Sequence, residues 1–139
     1  MANNYISDLT TPEAIQRIWE KGIIVDGYNA SLYRQDFAGA WISREAYGDT
    51  DNILGWEIDH VYPEELGGGN HIENLRPMNW RNNRSKGTDY PHYTAVVTSE
   101  ENKNIYRDTA CTVSDALQTT LQKLYNLSLI HISEPTRLA

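Results

Sequence analysis

Apolar positions along the chain change their period several times, and each change marks an element. Thr10-Thr11-Pro12-Glu13 reads as a helix start, with a hydroxyl cap at Thr10, Pro in the first turn and Glu three residues after the cap. Ala14, Ile15, Ile18 and Trp19 then lay one apolar stripe along that helix, and Gly22 stops it. Residues 23–44 read as extended segments around turns at Asp26-Gly27 and near Gly39, a hairpin. Trp56 to Val61 alternates apolar and polar and predicts the next strand. Residues 62–73 are too rich in Pro, Gly and acidic side chains for regular structure. Met78 to Lys86 predicts a short helix closed by Gly87. Tyr93 to Thr98 and Ile105 to Val113 flank Glu100-Glu101-Asn102-Lys103-Asn104 and predict a second hairpin. Ser114 caps a last helix on which Leu117, Leu121, Leu124 and Tyr125 fall at i, i+4, i+7 and i+8. The sum is an α+β class domain without internal repeats: hairpins flank a central strand–loop–helix unit, and a helix stands at each end.

From Leu127 onward, Leu-Ser-Leu-Ile-His-Ile-Ser-Glu-Pro-Thr-Arg-Leu-Ala neither continues the helical period nor supplies a cap. It resembles adaptor-derived read-through, the alternative being an ordinary C-terminal arm. The domain is expected to span 1–126, with 127–139 as a tail foreign to it.

Composition narrows the class. A length of 139 residues with 40% apolar residues supports one domain with a modest core. No stretch approaches the roughly 20 apolar residues of a membrane span, so no membrane partner is expected. Met1 to Tyr5 has neither a basic region nor an apolar run, which predicts a cytoplasmic protein without a secretion signal. The single cysteine, Cys111, leaves no internal disulfide and no thiolate zinc knuckle. A net charge of −7 argues against nonspecific nucleic-acid binding, because phosphate contacts need cations. Yet Arg76, Arg81, Arg84 and Lys86, a third of the 12 Lys and Arg, fall between Asn74 and Thr88 with no acid among them. That strip suits a local contact with nucleic acid, against the plainer alternative of a solvated helix face.

The chemistry concentrates in Trp56 to Lys86. Asp59-His60 closes the predicted strand, Gly67-Gly68-Gly69 follows, and Asn74, Asn83 and Lys86 stand 14, 23 and 26 residues after His60. An imidazole with a reference pKa of about 6.5 can take a proton from water near neutral pH. Adjacent residues on a strand point to opposite faces, so Asp59 can hold a hard cation without sharing the imidazole's face. An Asp-His pair alone is weak evidence, since it often forms a core hydrogen bond. Four residues at this spacing, with a glycine loop between them and a basic helix after, say more.

Strand, loop, short strand and helix, with these residues at these spacings, resemble the ββα-metal finger of HNH endonucleases. The likeness is strongest from Gly55 to Gly87. It extends more loosely back through Tyr33-Arg34-Gln35-Asp36, Gly39 and Ile42 to a hairpin shared by small stand-alone members. The resemblance implies a nuclease in which His60 is the general base and one divalent cation sits on Asp59 and Asn83. Mg²⁺ is the first choice, because oxygen donors favour it, with Mn²⁺ or another divalent cation as alternatives. The metal would stabilise the charge developing on the leaving 3′ oxygen. Asn74 would pin the loop and hold the His60 strand in place. Lys86, with Arg84 or Arg81, would contact phosphate, and Arg76 belongs to the same strip. The products would carry 5′-phosphate and 3′-hydroxyl ends, with DNA favoured over RNA as substrate. No protein partner is implied. The rival readings are a nucleic-acid-binding module that kept the finger without turnover, and a toxin-type nuclease effector.

Other residues read more plainly. Gly67-Gly68-Gly69 is a flexible turn rather than a phosphate cradle, because no helix follows at P-loop spacing. His71 reads as a solvated loop residue and His92 as surface or structural. Trp56 and Trp80 read as core anchors, and Glu57 as a surface carboxylate. Glu64 and Glu65 are expected to point away from nucleic acid. Many family helices carry Cys-x-x-Cys as half of a zinc site, where this chain has Asn79 and Asn82. No structural zinc is therefore implied, and packing of Trp56, Ile58, Leu75, Met78 and Trp80 is expected to hold the unit together.

Overall fold

The first helix, α1 (Pro12–Trp19), starts one residue later than its hydroxyl pair suggests. In the computed structural model, which describes residues 4–127, Thr11 is the cap and accepts the Ala14 N–H at 3.1 Å. Thr10 is instead tied to the Asp8 carboxylate. Ala14, Ile18 and Trp19 form the buried stripe, as their spacing predicts. The first hairpin joins β1 (Tyr33–Gln35) to β2 (Trp41–Ser43), and Ile23 pairs with the outer edge of β1 at Gln35. Its turn needs Gly39, whose φ of +90° excludes most side chains.

The central hairpin pairs β3 (Trp56–His60) with β4 (Leu75–Asn79) in antiparallel register, with Asp59 opposite Arg76 and His60 opposite Leu75. The chain then turns directly into α2 (Trp80–Lys86). That helix begins two residues after the predicted start, because Met78 and Asn79 finish the strand. Asn79 caps it by accepting the Arg81 N–H at 2.9 Å. Residues 62–73 are irregular apart from single 3₁₀ turns at Glu64–Leu66 and Ile72–Asn74. The second outer hairpin joins β5 (His92–Glu100) to β6 (Lys103–Thr112), and Ser114 caps α3 (Asp115–Tyr125) as expected. Three helices and three two-stranded antiparallel sheets, among the described residues, make a small α+β domain.

The alternation of β3 separates two apolar clusters. Trp56 and Ile58 join Ile18, Trp19, Ile42 and Leu75 beneath α1. Val61 joins Met78, Tyr93, Val113 and Leu121 beneath α3. Fully burying an apolar side chain of this size contributes about 1.5–3 kcal/mol. Leu127, assigned on sequence to the foreign tail, packs on the second cluster, and its N–H donates to Gln122 O at 3.1 Å. The α3 cap therefore includes it. The rest of the expected tail, 128–139, lies outside the described residues. Among those residues, no helix is long and apolar enough to cross a membrane.

Asn79 and Asn82 are buried amides, and packing alone does not hold α2. Asn82 accepts from the Val96 and Val97 N–H groups, both at 2.8 Å, and donates to Val97 O and to Asp36 Oδ2. Asp36 also accepts the N–H groups of Ala38, Ala40 and Asn79. One carboxylate thus clamps the β1–β2 turn to the start of α2. Trp80 is half-buried, not a core anchor, and its indole N–H donates to Asn52 O.

Candidate functional site

β3 ends at His60 and releases the chain into the 62–73 loop. Its alternation places Glu57 and Asp59 on the face covered by α2, and sends His60 toward the loop and the N-terminal segment. Asn74 holds this exit. It is fully buried; its Oδ1 accepts the Tyr62 N–H at 2.7 Å, and its Nδ2 donates to Tyr62 O and Gly69 O. The loop passes so close that a Cβ on Gly68 would stand 1.8 Å from Tyr62 O. Gly68 is therefore there to let two backbones touch.

His60 Nε2 lies 2.9 Å from Asn70 Oδ1 and 3.6 Å from Glu64 Oε2. The Asn70 amide is oriented by its other end, where Nδ2 donates to Ile6 O at 3.2 Å. With Oδ1 turned to the imidazole, Nε2 is the donor of the neutral ring, which leaves the Nδ1 lone pair free; this tautomer is assigned from the network. Glu64, expected to point away, sits at the imidazole instead.

Asp59 is 2% exposed. Its Oδ2 accepts from Arg76 Nε at 3.0 Å, and its Oδ1 lies 3.2 Å from Lys86 Nζ. Lys86 also donates to His60 O and Val61 O. Arg76 donates to the Tyr93 hydroxyl at 3.2 Å and lies over the Phe37 and Tyr93 rings. Burial pulls the Arg76 guanidinium down, but Asp59 and the Tyr93 oxygen outweigh it and hold the group above its ordinary value. Burial wins at Lys86, whose ammonium lies below its ordinary value despite the pull of Asp59.

Arg76 and Lys86 must therefore be struck from the expected phosphate contacts. Arg76 is 4% exposed and Lys86 1%. The hairpin register sets Arg76 beside Asp59, and the last turn of α2 places Lys86 beneath both. Of the basic strip, Arg81 and Arg84 face solvent. Arg84 donates to Glu57 Oε2 at 2.7 Å, and Asn83 Nδ2 donates to Glu57 Oε1 at 3.0 Å. Glu57 is thus a partner to α2 rather than an idle surface carboxylate.

Asp59, His60 and Asn83 line one cleft of about 360 Å³, together with Glu64, Glu65 and Arg84. Among the described residues, no three or more His, Cys, Asp or Glu gather as a metal-binding group. A cation here would rest on the Asp59 carboxylate and the Asn83 amide. An ionised carboxylate offers about four lone-pair positions, of which Arg76 and Lys86 engage two. Carboxylate and amide oxygens are the donor type a hard divalent ion takes, and two buried cations compete with it for Asp59.

His71, on sequence a solvated loop residue, is instead 9% exposed, with its ring edge-on to Tyr5 at 4.8 Å and its Nδ1 accepting the Glu73 N–H. Sequence reasoning missed Asn70 and Asp36 as organisers. The signal for Asp36 was local: Asp followed three residues later by Gly suggests a side-chain-capped turn. Comparison of the chain with family models, curated proteins and solved structures returns no match.

Proposed function

We propose that the chain is a metal-dependent nuclease of the HNH type, built on a ββα-metal finger formed by β3, β4 and α2. The observation that supports this best is the shared cleft of Asp59, His60 and Asn83 at the end of β3, where the Asn74 clasp holds the chain's exit. His60 Nδ1 takes a proton from a water molecule, and the resulting hydroxide oxygen attacks the phosphodiester phosphorus. The bond to the 3′ oxygen breaks, leaving 5′-phosphate and 3′-hydroxyl ends. Asn70 fixes the imidazole tautomer and Asn74 fixes the strand that carries it. Asp59 and Asn83 would hold one divalent cation, Mg²⁺ by their oxygen chemistry, which when bound stabilises charge on the leaving oxygen. Exposed Arg81 and Arg84 face the polyanion, with DNA preferred over RNA as substrate.

A specific observation favours a second reading, a nucleic-acid-binding module without turnover. Arg76 and Lys86 already neutralise Asp59, which lowers its draw on a dication. Nicking of supercoiled plasmid with Mg²⁺ and with EDTA, run beside His60→Ala, separates the two. Cleavage that needs metal and His60 supports the nuclease. DNA binding with no cleavage under any metal supports the module.

A further inference from the structure

Arg81 projects from α2 away from the His60 cleft, toward the β5–β6 hairpin. Its guanidinium carbon lies 4.4 Å from the Trp80 ring centroid and 5.3 Å from that of Tyr106 on β6. Arg84 reaches the same indole at 5.7 Å. The order Arg84–Trp80–Arg81–Tyr106 is a ladder of alternating cations and rings that runs from the cleft rim to the outer hairpin. Arg84 is tied to Glu57. Arg81 is exposed, and among the described residues none of the ion pairs involves it. Tyr106 is 70% exposed, the most of any large apolar or aromatic residue described. An unanchored arginine loses conformational entropy when it binds. Arg81 is held against two rings, and among the described residues no ion pair engages its planar fork, whose N–H edge can pair with phosphate in two parallel bonds.

We infer that the Trp80–Arg81–Tyr106 stack is a phosphate-binding site for the nucleic-acid backbone outside the catalytic cleft. This rests on the nucleic-acid part of the proposed function but not on turnover. The β5–β6 hairpin, outside the finger, thereby supplies part of the substrate surface through Tyr106. The Arg81 fork clamps one phosphate as the strand passes from the cleft across α2. Phosphate is common to single strands and duplexes, and Tyr106 favours the former, because an unpaired base can stack where a paired one cannot.

The test is fluorescence anisotropy in EDTA with a labelled oligothymidylate of about 20 nucleotides and a duplex of equal length, across a salt series. Arg81→Gln should flatten the log-log salt slope by about 0.7 on the single strand or about 0.9 on the duplex, one phosphate contact in either case. Tyr106→Leu should weaken binding roughly fivefold or more, with the larger loss on the single strand. Thermal melts of both variants serve as the folding control. If folded Arg81→Gln and Tyr106→Leu bind with the parent's affinity and slope, the site is overturned even if the parent cleaves plasmid. It is overturned equally if the parent binds neither oligonucleotide. If the slope falls by one contact in a protein that never cleaves, the site stands and the catalytic reading fails.

Discussion

His60 and Asn70 are bound through Nε2 and Oδ1 at 2.9 Å, and the same amide is anchored to Ile6 O. The imidazole's proton therefore sits on Nε2, and Asn70, anchored to the N-terminal segment, fixes it there. His60→Ala should lower cleavage by roughly 10²–10⁴-fold with the fold intact. Asn70→Ala should lower the rate constant roughly tenfold while leaving oligonucleotide affinity unchanged, because it frees the ring without touching substrate. Asn70→Asp keeps an acceptor toward Nε2 and should recover part of the loss. A parent-like rate constant in Asn70→Ala would show that the tautomer is set by something else.

The Asp59 cluster has a stability consequence that confounds the obvious metal experiment. Asp59→Ala leaves Arg76 and Lys86 buried without their counter-ion, which should cost about 3–5 kcal/mol. Adding Lys86→Met removes one of the stranded charges and should restore part of that stability in urea unfolding. The double variant is the better background for a metal titration, where cleavage should need more Mg²⁺ than the parent does. Equal urea midpoints for Asp59→Ala and the parent would contradict the buried network.

Local pattern revealed the helices and strands because each satisfies its own period. Ala14, Ile18 and Trp19 make a stripe whatever lies beneath, and Ser114 caps a helix wherever it packs. The spacing of Asp59, His60, Asn74 and Asn83 likewise needs no tertiary knowledge. What escaped was charge burial. Arg76 reads as a surface cation until the hairpin register sets it beside Asp59, and Lys86 until the last turn of α2 swings it beneath both. The same holds for buried Asn82, whose four hydrogen bonds reach Asp36 and β5 across sequence gaps that no periodicity spans.

Asp36 should be the most sensitive polar residue outside the cleft. Both carboxylate oxygens accept from N–H donors, two each, in a fully buried position. Burial raises its pKa, and hydrogen bonds from Asn82, Ala40, Asn79 and Ala38 oppose that rise. Asp36→Asn turns an NH₂ group toward donors and should cost about 2–4 kcal/mol, since unmet buried groups cost about 1–3 kcal/mol each. Urea unfolding measures it directly. A loss below about 1 kcal/mol would mean that the clamp between the first hairpin and α2 is not what holds the helix.

Lys21 gives the fold a pH dependence of definite sign. Its Nζ donates to Ile72 O and Leu75 O beneath the turn that leads into β4. Burial lowers its pKa from 10.5 to about 8, with Glu73 opposing the shift and Arg76 adding to it. Between about 8 and 10.5 the unfolded chain holds a proton that the folded chain has released, so stability rises with pH across that window. Below it both states are protonated, and the burial penalty is present in full. Lys86 is shifted in the same direction, so the parent's curve mixes the two. The readout is therefore the difference from Lys21→Met, which keeps the aliphatic stem and cannot titrate. That difference should change in the parent's favour by on the order of 1 kcal/mol across the window, after allowance for solvent at the half-buried side chain. Stability curves that run parallel from pH 7 to 10.5 would show that Lys21 keeps its ordinary affinity for the proton in the folded chain.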